Sequence, residues 1–159
     1  RQAEWQLGEL TGYGSAPLPM GGAVSGVSGA NWMLIGDAAG CINPLNGEGI
    51  DYALETGRLA AEHLVSRDPK RDLTASWAAV LDEEFGEAFS IARRLGLLIT
   101  HERLLALSGP IGMRSHAIMS VAFRVMGNLV TPEDRDVVAR AWRLAGRASL
   151  AVDRRRPFH

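Results

Sequence analysis

One stretch in the first third of the chain decides how the rest of the sequence is interpreted. It reads Leu34-Ile35-Gly36-Asp37-Ala38-Ala39-Gly40 and, after three intervening residues, Pro44-x-x-Gly47-Glu48-Gly49-Ile50. The apolar residues before Gly36 are typical of a buried strand, and the spacing of apolar residues after Gly47 is typical of an amphipathic helix. The stretch therefore predicts a strand, a glycine-lined loop that carries Asp37, and the start of a helix.

This loop has features of a binding site for a ligand with hydroxyl groups and an electron-rich ring. The carboxylate of Asp37 can accept a charge-assisted hydrogen bond from a sugar-alcohol hydroxyl. Glycines let backbone N–H groups approach a ring closely because they carry no Cβ. A helix start adds unpaired N–H groups and a dipole that favours negative charge. A flavin has both the hydroxyls and the ring, and the alternative interpretation is a ligand-free turn between a strand and a helix.

The same residues resemble a known family of flavoenzymes. The segment from Gly36 to Ile50 is similar to the second flavin motif of the geranylgeranyl reductase family, which comprises FAD enzymes of the glutathione-reductase and para-hydroxybenzoate-hydroxylase type. The similarity covers residues 10–66, including a proline–glycine segment at residues 17–22. Related aromatic hydroxylases have a histidine in place of Gly40, and this difference favours the reductase branch.

The resemblance implies a role for the residues of the motif. Asp37 would bind the ribityl chain of FAD, and the backbone around Gly49 would lie beside the N1 and O2 edge of the isoalloxazine. Reduction places negative charge at that edge, so a helix N-terminus would stabilise the reduced flavin. The cofactor-binding residues implied in this way are Gly36, Asp37, Pro44, Gly47, Glu48, Gly49 and Ile50. The catalytic residues are not identified.

The activity implied by the resemblance is that of an FAD-dependent oxidoreductase that saturates isoprenoid double bonds. Its lipophilic substrate would be the side chain of a prenylated quinone such as menaquinone, or a geranylgeranyl group. NAD(P)H or a ferredoxin-like protein would donate the electrons. We expect a cytoplasmic protein, with peripheral contact at the inner face of the membrane as an open question. Two alternatives stay open: a flavin-dependent monooxygenase or halogenase, and a helical docking or membrane-contact module without activity of its own.

One element of a complete enzyme of this type is absent from the sequence. The dinucleotide fingerprint GxGxxG, which follows a first strand and precedes an acidic residue by about twenty positions, does not occur. We therefore expect the C-terminal part of a longer protein with an α/β fold of the glutathione-reductase type, and expect the isolated chain to be incomplete and inactive. This part would comprise a few strands followed by a mostly α-helical region. The expected divisions are residues 1–30, the end of a sheet covering substrate and flavin; residues 31–66, the C-terminal part of the FAD-binding domain; and residues 67–159, a helical C-terminal region.

Within the first two divisions, periodicity predicts strands and one helix. Strand pieces are expected at residues 5–10 and 16–20, and a short buried strand at residues 31–35. A helix is expected from about residue 47 to 65. Its predicted apolar face consists of Ile50, Ala53, Leu54, Gly57, Ala60, Ala61 and Leu64. Glycine costs about 1 kcal/mol in a helix relative to alanine, so we expect close backbone packing at Gly57.

The last division is predicted to be helical throughout. A helix over residues 74–107 would present Trp77, Leu81, Phe85, Ala88, Ala92, Leu95 and Ile99, with a break near Gly96 or Thr100. The segment Ser108-Gly109-Pro110 is a stop signal, after which a helix is expected over residues 111–130. The segment Thr131-Pro132-Glu133-Asp134 predicts the start of a last helix, which would run to about Leu150.

Composition and charge exclude several classes of function. The chain has 159 residues of which 47% are hydrophobic, enough for a core, and a net charge of −1 gives no argument for a nucleic-acid partner. Cys41 is the only cysteine, and the four histidines lack metal-ligand spacing, so no metal site is expected. No run approaches the ~20 apolar residues of a membrane span. Residues 154–156, all arginine, could contact anionic lipid, but a solvated, frayed terminus is the favoured interpretation.

Overall fold

The described part of the chain forms one short hairpin and a series of helices. A computed structural model describes Gly12 and residues 14–66, 72–131 and 133–158. The elements are β1 Ser28–Gly29, β2 Trp32–Met33, a 3-10 helix Gly36–Ala39, α1 Ile50–Ser66, α2 Thr74–Ile99, α3 Glu102–Gly112, α4 His116–Met126 and α5 Val137–Ala151. Strand elements followed by a mostly helical region are what the sequence predicted, so this part of the expected fold class is confirmed.

The hairpin is smaller than the predicted strands. β1 and β2 pair antiparallel, with Ser28 opposite Met33 and Gly29 opposite Trp32. The prediction of a buried strand over residues 31–35 is wrong in length and in burial, since the Trp32 side chain is 48% exposed. A two-stranded ribbon leaves one face without a covering layer. Residues 16–20 adopt no regular structure, and the predicted strand at residues 5–10 lies outside the described residues.

Helix α1 begins at Ile50, later than predicted, and buries an unexpected face. Its buried residues are Tyr52, Thr56 and Ala60, which recur every fourth position. Ile50, with 77% exposure, heads the predicted apolar face, which is therefore wrong as a core face apart from Ala60. The close packing expected at Gly57 is also wrong, because beyond the helix's own backbone no described atom lies within 4 Å of a Cβ placed there.

The core lies along helix α2. Trp77, Leu81 and Phe85 are buried at four-residue steps, as the spacing predicted. The ring of Phe89 lies 5.1 Å from that of Tyr52 on α1, measured between centroids. The indole N–H of Trp77 donates a hydrogen bond of 2.8 Å to the carbonyl of Leu34, just after β2. Helix α2 therefore holds the hairpin and α1 in place. Helix α5 packs along α2, where a Cβ on Gly146 would lie 3.1 Å from the backbone carbonyl oxygen of Glu87.

The later helix boundaries agree with the sequence in part. The predicted break near Thr100 is confirmed, since α2 ends at Ile99 and α3 begins at Glu102. The stop signal at residues 108–110 is wrong, because α3 continues to Gly112 with proline inside its last turn. The predicted helix start at Thr131 is also wrong. The last helix instead begins at Val137, because the carboxylate of Asp136 caps it by accepting hydrogen bonds from the N–H groups of Val138 and Ala139.

Helices α3 and α4 contribute little to the core. Among the side chains that the structure describes, neither helix has a fully buried one. Their exposed apolar side chains include Leu105, Ile111 and Phe123. Even so, within the described ranges we find no helix that combines the length and the apolar character needed to cross a bilayer.

Candidate functional site

The turn that carries Asp37 is fastened to helix α1 by one buried hydroxyl. The N–H of Gly36 donates a 2.9 Å hydrogen bond to Oγ1 of Thr56, which in turn donates a 2.7 Å bond to the carbonyl of Tyr52. Gly36 has φ +53°, and a Cβ there would lie 3.1 Å from that of Ala53. The turn therefore lies directly against α1. The sequence reasoning missed Thr56, although a hydroxyl residue on the motif's own helix was a usable signal.

The loop between this turn and α1 is held by the side chains of two asparagines. Asn43 is buried, and its Oδ1 accepts the N–H of Leu45 at 2.8 Å. Oδ1 of Asn46 accepts the N–H of Glu48 at 2.8 Å. Gly47 has φ +75°, a conformation that side-chain-bearing residues rarely adopt. These local bonds give the loop a defined shape before any ligand binds.

The start of α1 carries unpaired donors. Oε1 of Glu48 accepts the N–H of Asp51 at 2.8 Å. Among the described residues, no acceptor bonds the N–H groups of Gly49 and Ile50. A helix N-terminus with unpaired N–H groups carries partial positive charge, so this point favours an anionic or electron-rich ligand edge.

The Asp37 side chain lies next to this helix start. A Cβ placed on Gly49 would be 2.8 Å from Oδ1 of Asp37 and 3.3 Å from Cγ1 of Ile42. Gly49 therefore lets the carboxylate approach the first turn of α1. Asp37 is exposed, and its carboxylate has no hydrogen-bond partner within the described ranges, so it is free to accept one from a ligand.

These groups line one open cleft of about 660 Å³. Of the predicted site residues, it brings together Gly36, Asp37, Gly47, Gly49 and Ile50. Leu18, Ile35 and Leu54 add apolar walls. Pro44 lies outside this lining, with its carbonyl oxygen 3.2 Å from the place of a Cβ on Gly96 of α2. The Glu48 side chain is also outside the lining: one carboxylate oxygen caps α1, and the other is buried without a partner among the described atoms.

Two titratable groups behind the cleft, Cys41 and Tyr52, are held neutral by burial. Burial and, second, the nearby Asp37 raise the pKa of the Cys41 thiol to about 12. Burial and then the Glu48 carboxylate likewise raise the pKa of Tyr52 to about 12. Neither group is therefore ionised at neutral pH. Within the described parts of the chain, no group of three or more His, Cys, Asp or Glu residues could hold a metal ion.

Comparison with known proteins identifies a class of reductases that act, by name, on isoprenoid compounds. The chain is 35% identical over 90 residues, 54% of its length, to digeranylgeranylglycerophospholipid reductase 3 of Methanosphaera stadtmanae, and covers 23% of that protein. Within this class it is 61% identical to the menaquinone reductase of Mycobacterium tuberculosis and 59% identical to that of Mycolicibacterium smegmatis, over 99% of its length in both cases. These similarities confirm the resemblance to the geranylgeranyl reductase family.

The extent of the match limits what it says about a whole enzyme. The chain spans 38% of the length of the Mycobacterium tuberculosis protein and 39% of the Mycolicibacterium smegmatis protein. No family model matches the chain, and no solved structure matches it at a significant level.

Proposed function

We propose that the protein to which this chain belongs is an FAD-dependent reductase that saturates isoprenoid double bonds, with the prenyl side chain of menaquinone as the favoured substrate. The observation that supports this proposal is the meeting of the Asp37 carboxylate with the unpaired N–H groups of Gly49 and Ile50 in one cleft. The relatives that match the chain along its length are menaquinone reductases by name.

The residues of the cleft fit one part of FAD. The free carboxylate of Asp37 is an acceptor for the hydroxyls of a ribityl chain. The N–H groups of Gly49 and Ile50 are donors for the oxygen and nitrogen edge of a flavin ring, and the absence of a Cβ on Gly49 leaves them accessible. When bound, the flavin supplies the hydride chemistry, while the protein binds and orients.

The chain's own hydrogen bonds prepare this donor set. Thr56 holds the turn that carries Asp37, and Glu48 accepts the N–H of Asp51, leaving the two preceding N–H groups for a ligand. The donors are therefore oriented before charge develops, which is the arrangement in which they stabilise it most effectively. A reduced, anionic ring is the form that gains most from this arrangement.

The experiment that tests the cofactor assignment is a fluorescence titration of the intact apoprotein with FAD. Asp37→Ala removes a charge-assisted hydrogen bond of about 1.5–3 kcal/mol, and we expect a ten- to hundredfold weaker affinity. Asp51→Ala is the matched control, since Asp51 is an exposed acid in the first turn of the same helix that does not line the cleft. The FAD affinity of this control should stay within about twofold of wild type, a difference of about 0.4 kcal/mol. An unchanged FAD affinity in Asp37→Ala would refute the assigned role.

The reaction itself is tested by mass spectrometry of menaquinone incubated with the intact protein, FAD and a reductant. Gain of a pair of hydrogen atoms on the prenyl chain supports the proposal. Incorporation of oxygen instead would select the monooxygenase alternative.

A further inference from the structure

The arginines at residues 154–156 form a turn that is anchored at both ends. Before them, the side chain of Asp153 is 12% exposed and accepts hydrogen bonds from the hydroxyl of Ser90 at 2.6 Å and from Nη2 of Arg93 at 2.8 Å. After them, Phe158 is buried, and its N–H donates a 2.9 Å bond to the carbonyl of Gly22. The expectation of a frayed terminus is therefore wrong for these residues.

The anchors also order the backbone of the turn. The N–H of Arg155 donates to Oδ1 of Asp153 at 3.0 Å, and its carbonyl accepts from Nη2 of Arg93 at 2.7 Å. Burial opposes ionisation of Asp153, but the Ser90 hydroxyl, the Arg155 N–H and the Arg93 guanidinium together keep its pKa below the usual range. The carboxylate therefore remains charged and holds the turn at neutral pH.

This turn and residues 22–25 line an open groove of about 600 Å³, in which positive charge is concentrated. Four arginines and one aspartate line it, and with Asp82 beside Arg156 the cluster has a net charge of +2 in a chain whose net charge is −1. Arg93 is paired with Asp153, and Arg156 lies 3.8 Å from a carboxylate oxygen of Asp82. Within the described ranges, the guanidinium groups of Arg154 and Arg155 have no carboxylate partner.

We propose that this groove is a binding site for a phosphate group. Guanidinium groups bind phosphate through two parallel N–H bonds, and two such groups are exposed on a backbone that is already fixed. The hydroxyl of Ser25 lines the same groove and is free to donate. The positive charges of Arg154 and Arg155, which have no carboxylate partner among the described residues, favour an anionic ligand, and the fork of each guanidinium matches the oxygens of a phosphate.

Two sources carry this chemistry: a free phosphate or diphosphate, and the headgroup of an anionic phospholipid. Leu97 lies one turn beyond Arg93 on the same side of α2 and is 76% exposed. An apolar side chain near the groove is what a lipid source would require, since headgroup and acyl chain are contacted together. The proposal does not rest on the assignment of the flavin site.

The test uses the intact protein and two probes. Inorganic diphosphate is titrated by calorimetry, and vesicles of phosphatidylglycerol are compared with vesicles of phosphatidylcholine by co-sedimentation. The groove variant is the double substitution Arg154→Ala and Arg155→Ala. The matched control is Arg135→Ala with Arg140→Ala, two exposed arginines outside the groove that change the net charge equally.

We expect the groove variant to bind at least tenfold more weakly, a loss of about 1.4 kcal/mol or more. The control should bind within about twofold of wild type. Diphosphate binding identifies a free phosphate compound as the ligand, and binding only to phosphatidylglycerol vesicles identifies a lipid headgroup. Absence of binding to both probes would overturn the proposal. Equal loss in the groove and control variants would do the same, because it would reveal a general effect of charge.

Discussion

Gly47 and Gly49 are glycines for different physical reasons. The φ of Gly47 lies in the left-handed region, and no described atom lies within 4 Å of a Cβ built there. A side chain at Gly47 would therefore strain the loop without contacting anything. Gly49 is constrained by its neighbour instead, because a Cβ would approach a carboxylate oxygen of Asp37 to 2.8 Å. The first glycine shapes the backbone, and the second makes room for a functional side chain.

Alanine substitutions should separate these two roles. Gly49→Ala is expected to displace the Asp37 carboxylate and weaken FAD affinity about tenfold, a loss of about 1.4 kcal/mol. Gly47→Ala is expected to lower the free energy of unfolding by about 1–2 kcal/mol, with a smaller effect on FAD affinity. FAD titration and urea denaturation measure the two quantities. The reverse pattern, with affinity lost only in Gly47→Ala, would show that the Asp37 contact is unimportant.

Cys41 lies four residues after Asp37, and its burial makes it inert. At about pH 8.5, where a free thiol is half ionised, we expect no reaction of the folded protein with a disulfide reagent and full reaction after unfolding. Asp37→Asn tests whether burial or the Asp37 charge contributes more to the raised pKa of Cys41. The thiol should stay unreactive in this variant, because burial is the larger cause. Rapid modification in the folded wild-type protein would contradict this prediction.

At the scale of elements, the junction of the 3-10 helix with α1 depends on the side chain of Thr56. Its hydroxyl is the hydrogen-bond partner of the buried Gly36 N–H and ties two elements that are joined only by a loop. The same helix supplies the unpaired N–H groups of Gly49 and Ile50. The relative placement of carboxylate and donors is therefore a property of this junction and not of either element alone.

The junction can be tested by substitutions that change only the hydroxyl or only the methyl group. Thr56→Val leaves the Gly36 N–H buried without an acceptor, which lowers the free energy of unfolding by about 1–3 kcal/mol. Thr56→Ser keeps the hydroxyl and serves as the control, with a smaller loss expected. Urea denaturation measures both. Equal losses in the two variants would mean that the methyl group, and not the hydrogen bond, stabilises the junction.

At the scale of the whole described chain, the segment at Gly22 packs against the last described residues. The backbone of Gly22 binds Phe158, and a Cβ on Gly22 would lie 2.8 Å from the Cβ of Pro157. The ring of Phe158 lies 5.9 Å from that of Phe89 on α2, between centroids. Asp153 adds a charged link to the same helix through Arg93. The last described residues are thus part of the core that supports both the cleft and the basic groove.

This closure predicts a dependence of stability on pH. Because the folded pKa of Asp153 is lowered, its contribution is fully present above the ordinary aspartate pKa of about 3.9 and is lost as pH falls through the folded value. Asp153→Asn should therefore lower the free energy of unfolding at neutral pH by about 1.5–3 kcal/mol, and the difference from wild type should narrow below about pH 4.

Urea denaturation at a series of pH values measures this effect. Glu83→Gln is the control, since it neutralises an exposed acid on α2. If the free energy of unfolding of the wild type exceeds that of Asp153→Asn by the same amount in strong acid and at neutral pH, an ionised Asp153 is not the source of the difference.

The sequence alone determined the features that depend on neighbours along the chain. These include the break near Thr100, the four-residue apolar spacing from Trp77, and the glycine-rich stretch that holds Asp37. Torsional freedom of glycine and bonds between residues four positions apart are local, so a sequence pattern reports them. Helix starts were predicted less well, because Asp136 and Thr131 are both good caps and the ion pairs of Arg124 with Asp134 and Asp136 are formed only on folding.

Tertiary structure decided which surfaces these elements bury and which side chains meet. Helix α1 turns Tyr52 inward because the aromatic rings of α2 are there to receive it, although its more apolar residues are on another face. Asp37 likewise approaches Gly49 across a loop that joins two different helices. Gly22 anchors residues 154–156 through Phe158, although the two segments are far apart in the sequence. Burial and contact depend on the shape of the partner surface, and only the folded chain supplies that partner.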